Sequence, residues 1–221
     1  MALAEKILAH KFNKSDLELI DHHTYVFCGD GDLMEGISHE ACSYAGTHKL
    51  NKLIVLYDDN DISIDGEVAG WFTDDTAKRF ESYGWHVIPK IDGHNEEAVD
   101  AAITEAKLSD KPTLICCKTI IGKGSPNKAG TAGVHGAALG EEEVLLTRKN
   151  LNWSFDTFEI PDEAYSGWNQ EKEGAEKENA WELLVKKYKE KYPEEFQVFD
   201  RLSKGELPSE FDSTIEGLVK S

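Results

Sequence analysis

The first two-thirds of the chain alternate between short apolar runs and longer stretches in which apolar residues recur at helical spacing. β-Branched and aromatic side chains dominate the short runs, which is typical of buried strands. These predicted strands are residues 24–28, 53–57, 86–88 and 113–117. The predicted helices are residues 2–12, 35–49, 74–83 and 96–108. Continuous apolar strands separated by amphipathic helices predict an α/β fold, a three-layer parallel sheet with helices on both faces.

The pattern changes in the last third of the chain, where runs of strand type no longer occur. Residues 179–192 predict a charged helix with one apolar stripe, and residues 194–202 predict a shorter helix. The sequence therefore predicts two parts. An α/β domain covers residues 1–150, and a helical linker or tail covers residues 151–221.

The chain is strongly acidic, with a formal net charge of −18. A negative surface repels phosphate backbones and anionic lipid, so we expect neither nucleic acid nor a membrane as a partner. No apolar run reaches the roughly 18 residues of a membrane-spanning helix, and the N-terminus does not have the pattern of a signal peptide. The cysteines form neither a CxxC motif nor a Cys/His zinc spacing, which favours reduced thiols and a cytoplasmic location.

Two of the predicted strands end in loops with candidate ligand chemistry. Gly29, Asp30 and Gly31 follow the first strand, and Asn60 and Ile62 follow the second. Ligands of open parallel sheets bind at the carboxyl ends of strands. The Asp30 carboxylate, the Asn60 amide oxygen and the Ile62 carbonyl would supply half of an octahedral Mg²⁺ shell, which two diphosphate oxygens and a water would complete. A Gly-Asp-Gly turn is common by itself, but its pairing with an Asn-bearing loop predicts a site for a metal-bound diphosphate.

Longer motifs surround these two loops. They are residues 29–41 (GDGDLMEGISHEA), 57–60 (YDDN), 62–66 (ISIDG), 70–75 (GWFTDD), 83–88 (YGWHVI), 118–122 (KTIIG), 124–131 (GSPNKAGT) and 135–136 (HG). Together they resemble the transketolase family, and the resemblance covers essentially the whole chain. It implies the thiamine-diphosphate-binding fold, with residues 1–150 as part of the domain that binds the diphosphate and Mg²⁺.

The resemblance also implies the cofactor and its metal. The cofactor would be thiamine diphosphate, bound through Mg²⁺, with Ca²⁺ or Mn²⁺ as substitutes. By this resemblance, Asp30, Asn60 and the backbone carbonyl of Ile62 are the metal ligands.

Further residues near the cofactor follow from the same resemblance. Gly29 and Gly31 belong to the loop at the diphosphate, and Gly31 contacts it through its backbone. Ile64 packs near the thiazolium ring, and Glu35 belongs to a dimer-interface network beside the cofactor. His135 is the candidate catalytic residue, because it would reach both the diphosphate and the reacting end of the substrate.

Transketolases reversibly transfer a two-carbon ketol group from a ketose phosphate to an aldose phosphate, in the pentose phosphate pathway. The resemblance thus implies sugar phosphates as substrates. It also implies a homodimer, or a companion chain, that carries the pyrimidine-binding domain. The family's catalytic glutamate lies in a later domain with no counterpart here, and an upstream glycine-rich segment is missing too. We therefore expect a fragment or a split subunit that is inactive by itself.

Three positions depart from the family pattern, and two alternatives stay open. Asp61 stands where glycine is common, Ala132 where histidine is frequent, and Asp32 where a small or thiol residue is usual. One alternative is a related thiamine-diphosphate enzyme such as dihydroxyacetone synthase, which acceptor assays would distinguish. The other is a non-catalytic binding or assembly module that keeps the fold and has no turnover.

Overall fold

The computed structural model describes residues 1–220, which divide into two compact units. The first unit comprises residues 1–3 and 22–161, and the second comprises residues 4–21 and 162–220. In chain order the elements are α1 (Ala2–Phe12), β1 (Thr24–Gly29), α2 (Asp30–Met34), α3 (Gly36–Thr47), β2 (Leu53–Asp59), β3 (Ile62–Ser63), β4 (Gly66–Glu67), α4 (Thr76–Ser82), β5 (His86–Asp92), α5 (Glu96–Lys107), β6 (Thr113–Lys118), a 3₁₀ turn (Ala132–Val134), α6 (Glu141–Asn150), α7 (Asp162–Trp168), α8 (Glu171–Lys191), α9 (Pro193–Ser203) and α10 (Phe211–Lys220).

The main sheet has four parallel strands in the order β1-β2-β6-β5. Its register places Gly29 of β1 beside Asp58 of β2, and Asp58 beside Cys117 of β6. The carboxyl ends of these strands therefore lie along one edge, where their loops meet. Just beyond β2, the short strands β3 and β4 form a separate antiparallel pair.

Helices pack on both faces of this sheet, because alternate side chains of each strand point in opposite directions. On one face α3 and α4 cover a core that includes Ala45, Val55, Tyr57, Phe80, Trp85 and Leu114. On the other face α5 covers a core of Ile54, Leu56, Ile88, Ala102, Ala106, Ile115 and Cys117. The predicted fold class, a parallel sheet flanked by helices, is confirmed.

The prediction that the first strand is buried was wrong for β1. Tyr25, Val26 and Phe27 are exposed, and Phe27 keeps 81% of its surface accessible. Within the described chain β1 is an edge strand that pairs only with β2. Periodicity cannot distinguish an edge strand from a central one, because it reports how apolar a strand is and not what covers it.

The start of α4 also differs from its prediction. The sequence placed Asp74 and Asp75 in the first turn, but the helix begins at Thr76. The side chain of Asp75 accepts a hydrogen bond from the backbone N–H of Lys78 at 3.1 Å, so Asp75 is the N-cap residue. The ten-residue helix α6, which follows Gly140, was not predicted from the sequence.

The second unit joins the N-terminal segment to the C-terminal helices. Its core consists of Phe12, Leu19, Ile20 and Tyr188, and the Tyr188 hydroxyl donates to the Phe12 carbonyl at 2.6 Å. The helices predicted at residues 179–192 and 194–202 lie within α8 and α9. This long-range pairing was not predicted, and the proposed domain boundary between residues 150 and 151 stays a prediction.

Candidate functional site

The candidate site lies where β1 and β2 end. Gly29 is the last residue of β1, and α2 begins immediately at Asp30. The backbone N–H of Gly29 donates to the Asp32 carboxylate at 2.8 Å, which fixes the turn between strand and helix. Asp32, one of the departures from the family pattern, therefore has a local structural role in this chain.

Asp30 carries the most unusual environment of the site. Its side chain is 5% exposed, and its Oδ1 accepts a hydrogen bond from the hydroxyl of Tyr57. Its Oδ2 is buried and has no hydrogen-bond partner among the described residues. Burial raises the pKa of Asp30, while the Tyr57 hydroxyl opposes this shift and the negative charges of Asp59 and Asp61 add to it.

An unpartnered buried carboxylate oxygen is costly unless a positive charge compensates for it. A divalent cation beside Oδ2 would supply that charge and would favour the ionised form of Asp30. The donor set therefore fits a hard cation such as Mg²⁺, which prefers oxygen ligands. Tyr57 stays protonated beside this carboxylate, because burial and the Asp30 charge both raise the pKa of its phenol.

Asn60 sits in the tight loop that follows β2. Its Oδ1 accepts the backbone N–H of Ile62 at 2.9 Å, and its Nδ2 donates to Asp58 at 3.0 Å. These bonds fix the orientation of the amide. One lone pair of Oδ1 remains available for a cation.

The backbone conformation at Asp61 explains why glycine is common at this position in the family pattern. Its φ of 62° is left-handed, a conformation that glycine adopts freely and that aspartate tolerates better than most residues. Its carboxylate forms an ion pair with Lys118, which also contacts Asp59 at 3.2 Å. The extra negative charge at Asp61 is therefore matched by a lysine.

A cavity of about 670 Å³ opens at this edge of the sheet. All eight residues predicted from the sequence line it: Gly29, Asp30, Gly31, Glu35, Asn60, Ile62, Ile64 and His135. The structure thus brings together residues that span 107 positions of the chain, from 29 to 135. Their individual roles stay predictions.

The loop that carries His135 is held by Glu143, a residue that the sequence pattern did not single out. Glu143 of α6 is 7% exposed, and its carboxylate accepts hydrogen bonds from the Ser125 hydroxyl, from the Asn127 backbone at 2.9 Å and from the Asn127 side chain at 2.9 Å. These hydrogen bonds lower the pKa of Glu143. The only available signal was a run of three glutamates after Gly140, which is also typical of any helix start.

Thr119 was also overlooked. Its hydroxyl, just after β6, donates to the carboxylate of Asp58, and this bond connects the ends of β2 and β6. A second cavity of about 680 Å³ shares Gly29, Asp32, Asp58 and Ile121 with the first, and its other walls are mainly apolar, including Phe27 and Ile120. Polar and apolar ligand surfaces are therefore available side by side at this edge.

Residues 1–220 contain no group of three or more His, Cys, Asp or Glu side chains arranged to hold a metal ion. The predicted shell has a different composition, since it uses one carboxylate, one amide and one backbone carbonyl. All four cysteines of the described chain are free. None of its helices combines the length and apolar character needed to cross a membrane.

Comparisons with known proteins agree on one family. The family described as "Transketolase, thiamine diphosphate binding domain" matches residues 1–208. The chain is 57% identical over 219 residues to transketolase 2 of Vibrio vulnificus, and 57% identical over 220 residues to transketolase 1 of Escherichia coli. Each alignment covers 99% of this chain and 33% of the relative, so the chain spans about a third of the length of the curated relatives it matches.

Solved structures give the same result. The chain superposes on the transketolase from Leishmania mexicana with a TM-score of 0.90 at 40% identity, covering 94% of this chain and 32% of that one. A transketolase from Pichia stipitis in complex with sedoheptulose 7-phosphate also matches with a TM-score of 0.90, at 41% identity, covering 96% of this chain and 32% of that one.

Proposed function

The chain belongs to the transketolase family through its thiamine diphosphate binding domain, and on that premise we propose that its cavity holds the diphosphate of the cofactor through a divalent cation. The observation that carries this proposal is the buried Oδ2 of Asp30, which lacks a partner in the described chain while its neighbours in the cavity are oxygen donors. Mg²⁺ is the proposed ion, with Ca²⁺ or Mn²⁺ as substitutes.

Three residues would hold this cation. Asp30 contributes the only charged ligand, Asn60 its amide oxygen, and Ile62 its backbone carbonyl. A shell with one carboxylate suits a doubly charged ion that must also accept an anionic diphosphate, because further carboxylates would repel the cofactor.

The glycine loop and the cavity walls would position the rest of the cofactor. A side chain at Gly31 would meet no atom within 4 Å, so the backbone there is open to the diphosphate. Ile64 is 75% exposed and offers an apolar surface for a ring. His135, at the cavity wall, offers an imidazole that can exchange a proton or a hydrogen bond with a substrate oxygen, and Glu35 would face a partner subunit.

We propose transketolase activity for the protein as a whole. When bound, thiamine diphosphate supplies the chemistry for moving a two-carbon ketol group between sugar phosphates. This chain would bind the diphosphate and orient the cofactor, and the second subunit of a full-length homodimer, or a companion chain, would contribute the pyrimidine-binding domain. The sugar phosphate bound by the Pichia relative supports this class of substrate. The cytoplasmic location stays a prediction.

Calorimetric titration with thiamine diphosphate and Mg²⁺ tests the proposal. We expect the parent chain to bind with a dissociation constant of about 10 µM to 1 mM, or roughly −4 to −7 kcal/mol, since only the diphosphate anchor is present. Asp30→Ala should abolish binding, because Mg²⁺ loses its only charged protein ligand. Omitting Mg²⁺ should have the same effect.

Asp110→Ala is the matched control. Asp110 is exposed and precedes β6, so it lies at the amino end of the sheet and carries the same charge as Asp30. Its removal should leave the affinity unchanged. Binding by Asp30→Ala with the affinity of the parent chain would remove Asp30 from the site and overturn the proposal.

A further inference from the structure

Tyr57 connects the two loops of the proposed metal site. It lies near the end of β2, three residues before Asn60, and it is 6% exposed. Its ring packs in the core formed on the α3 and α4 face of the sheet. Its hydroxyl reaches across to the first loop and donates to Oδ1 of Asp30, a residue 27 positions earlier in the chain.

This hydrogen bond determines how the Asp30 carboxylate is presented. One oxygen is engaged by the phenol, and the other is the buried Oδ2 that has no partner in the described chain. A tyrosine ring fixed in a packed core is a rigid donor, since both of its side-chain torsions are held by its neighbours. The Asp30 carboxylate is therefore held in one orientation, in which Oδ2 is the oxygen without a partner in the described chain.

We propose that Tyr57 is a positioning residue that orients Asp30 for a divalent cation; this inference rests on the proposed function. Groups that hydrogen-bond to metal ligands fix the direction of the ligand, and their loss typically weakens metal binding by about 10-fold to 100-fold. Tyr57 lies on β2, which leads directly into the loop of Asn60, so its hydrogen bond to Asp30 also couples the positions of the Asp30 and Asn60 side chains.

A purely structural role for the same hydrogen bond makes a different prediction. If the phenol only satisfied a buried carboxylate, removing its hydroxyl would lower the stability of the fold and would weaken the binding of all cations alike. If the phenol orients the carboxylate, the loss of affinity should depend on the cation. Mg²⁺ requires nearly ideal octahedral geometry, whereas Ca²⁺ accepts flexible geometry and more ligands.

The test compares Tyr57→Phe with the parent 221-residue chain, by calorimetric titration of thiamine diphosphate with Mg²⁺ and again with Ca²⁺. We expect the affinity with Mg²⁺ to fall by about 10-fold and the affinity with Ca²⁺ to fall by no more than about 3-fold, since Ca²⁺ tolerates a displaced carboxylate. Tyr83→Phe is the matched control. This substitution also removes a tyrosine hydroxyl from the first unit. The Tyr83 hydroxyl contacts His39 at 3.0 Å and does not line the cavity, so the affinities measured with Mg²⁺ and with Ca²⁺ should both stay unchanged.

Equal losses with the two cations, no loss, or the same loss in Tyr83→Phe would overturn the inference while leaving the proposed function intact. Absence of binding by the parent chain would overturn both. If Tyr57→Phe does not fold, as judged by circular dichroism, two substitutions of similar size replace it. p-Aminophenylalanine at position 57 keeps a donor and should retain the Mg²⁺ affinity, whereas p-methylphenylalanine lacks one and should not.

Discussion

Asp30 and Glu143 are both buried carboxylates, but their surroundings differ. Asp30 has one oxygen without a partner in the described chain, whereas both oxygens of Glu143 accept hydrogen bonds. The pKa shifts reflect this difference, since burial raises the pKa of Asp30 and the hydrogen bonds lower that of Glu143. We infer that Asp30 has an oxygen available for a ligand, and that the hydrogen bonds of Glu143 hold the loop leading to His135 in place.

The lowered pKa of Glu143 predicts that the fold loses stability in acid. A Glu pKa that is lower in the folded state stabilises the fold above the ordinary Glu pKa of about 4.3, and this contribution is lost as the pH falls through the lower folded value. Glu143→Gln turns one accepting oxygen into a donor that faces other donors. We therefore expect its melting temperature to lie below that of the parent at pH 7, with a difference that narrows towards pH 3.

Thermal melts followed by circular dichroism between pH 7 and pH 3 measure this effect. Glu142→Gln is the control, because Glu142 is the exposed neighbour on the same helix turn. Its melting curve should follow that of the parent throughout. If the melting temperatures of Glu143→Gln and the parent differ by the same amount at every pH, the charge of the Glu143 carboxylate contributes nothing to the stability of the fold.

Eight of the residues that line the cavity had been predicted as site residues, whereas the residues that hold them in place had not. Asp30 and Asn60 belong to contiguous motifs, so the sequence alone singles them out as candidates. Tyr57 and Glu143 act through partners 27 and 16 to 18 positions away. Such contacts depend on how the strands and helices pack, which no local pattern specifies.

At the scale of secondary structure elements, the packing of α3 illustrates a tight constraint. Gly46 lies near the end of this helix, where the turn at Tyr83 leads into β5. A Cβ atom placed on Gly46 would come within 1.9 Å of the Tyr83 carbonyl oxygen. At Gly36, the first residue of the same helix, a Cβ would meet nothing within 4 Å.

These two glycines form a matched pair of substitutions. Gly46→Ala should destabilise the fold by about 2 to 3 kcal/mol, because a backbone atom must move to accept the methyl group. Gly36→Ala should leave the stability unchanged or raise it by up to about 1 kcal/mol, since alanine favours helix more than glycine. Urea unfolding of both variants decides the matter, and a Gly46→Ala midpoint equal to that of the parent would contradict the close packing.

The elements also show where sequence patterns lose their information. Each strand of the main sheet begins at its predicted residue and ends one to four residues later than predicted, because apolar runs mark the buried part of a strand directly. The burial of β1 was mispredicted, since coverage depends on what packs over Phe27 and not on Phe27 itself. The predicted start of α4 was two residues too early, because Asp75, expected in the first turn, instead accepts the backbone N–H of Lys78 as the N-cap residue.

At the scale of the whole molecule, charge and size both bear on the proposed function. A net charge of −18 disfavours the approach of a free diphosphate, which agrees with the proposal that a divalent cation lies between the chain and the cofactor. The second unit, in which residues 4–21 pack with residues 162–220, could not be predicted, because its two parts are about 140 residues apart in the chain. The chain itself corresponds to about a third of its full relatives.

We finally predict that the 221-residue chain has no ketol-transfer activity by itself. By the resemblance to the family, the glutamate that activates the cofactor would lie in a later domain, and the cavity described here offers only Glu35 as a glutamate wall residue. With saturating thiamine diphosphate and Mg²⁺, product formation from a ketose phosphate and an aldose phosphate should not exceed that of a protein-free blank. Escherichia coli transketolase 1 in the same coupled assay is the positive control. Turnover well above the blank would show that a carboxylate of this chain replaces the missing one, and loss of that turnover in Glu35→Gln would identify it.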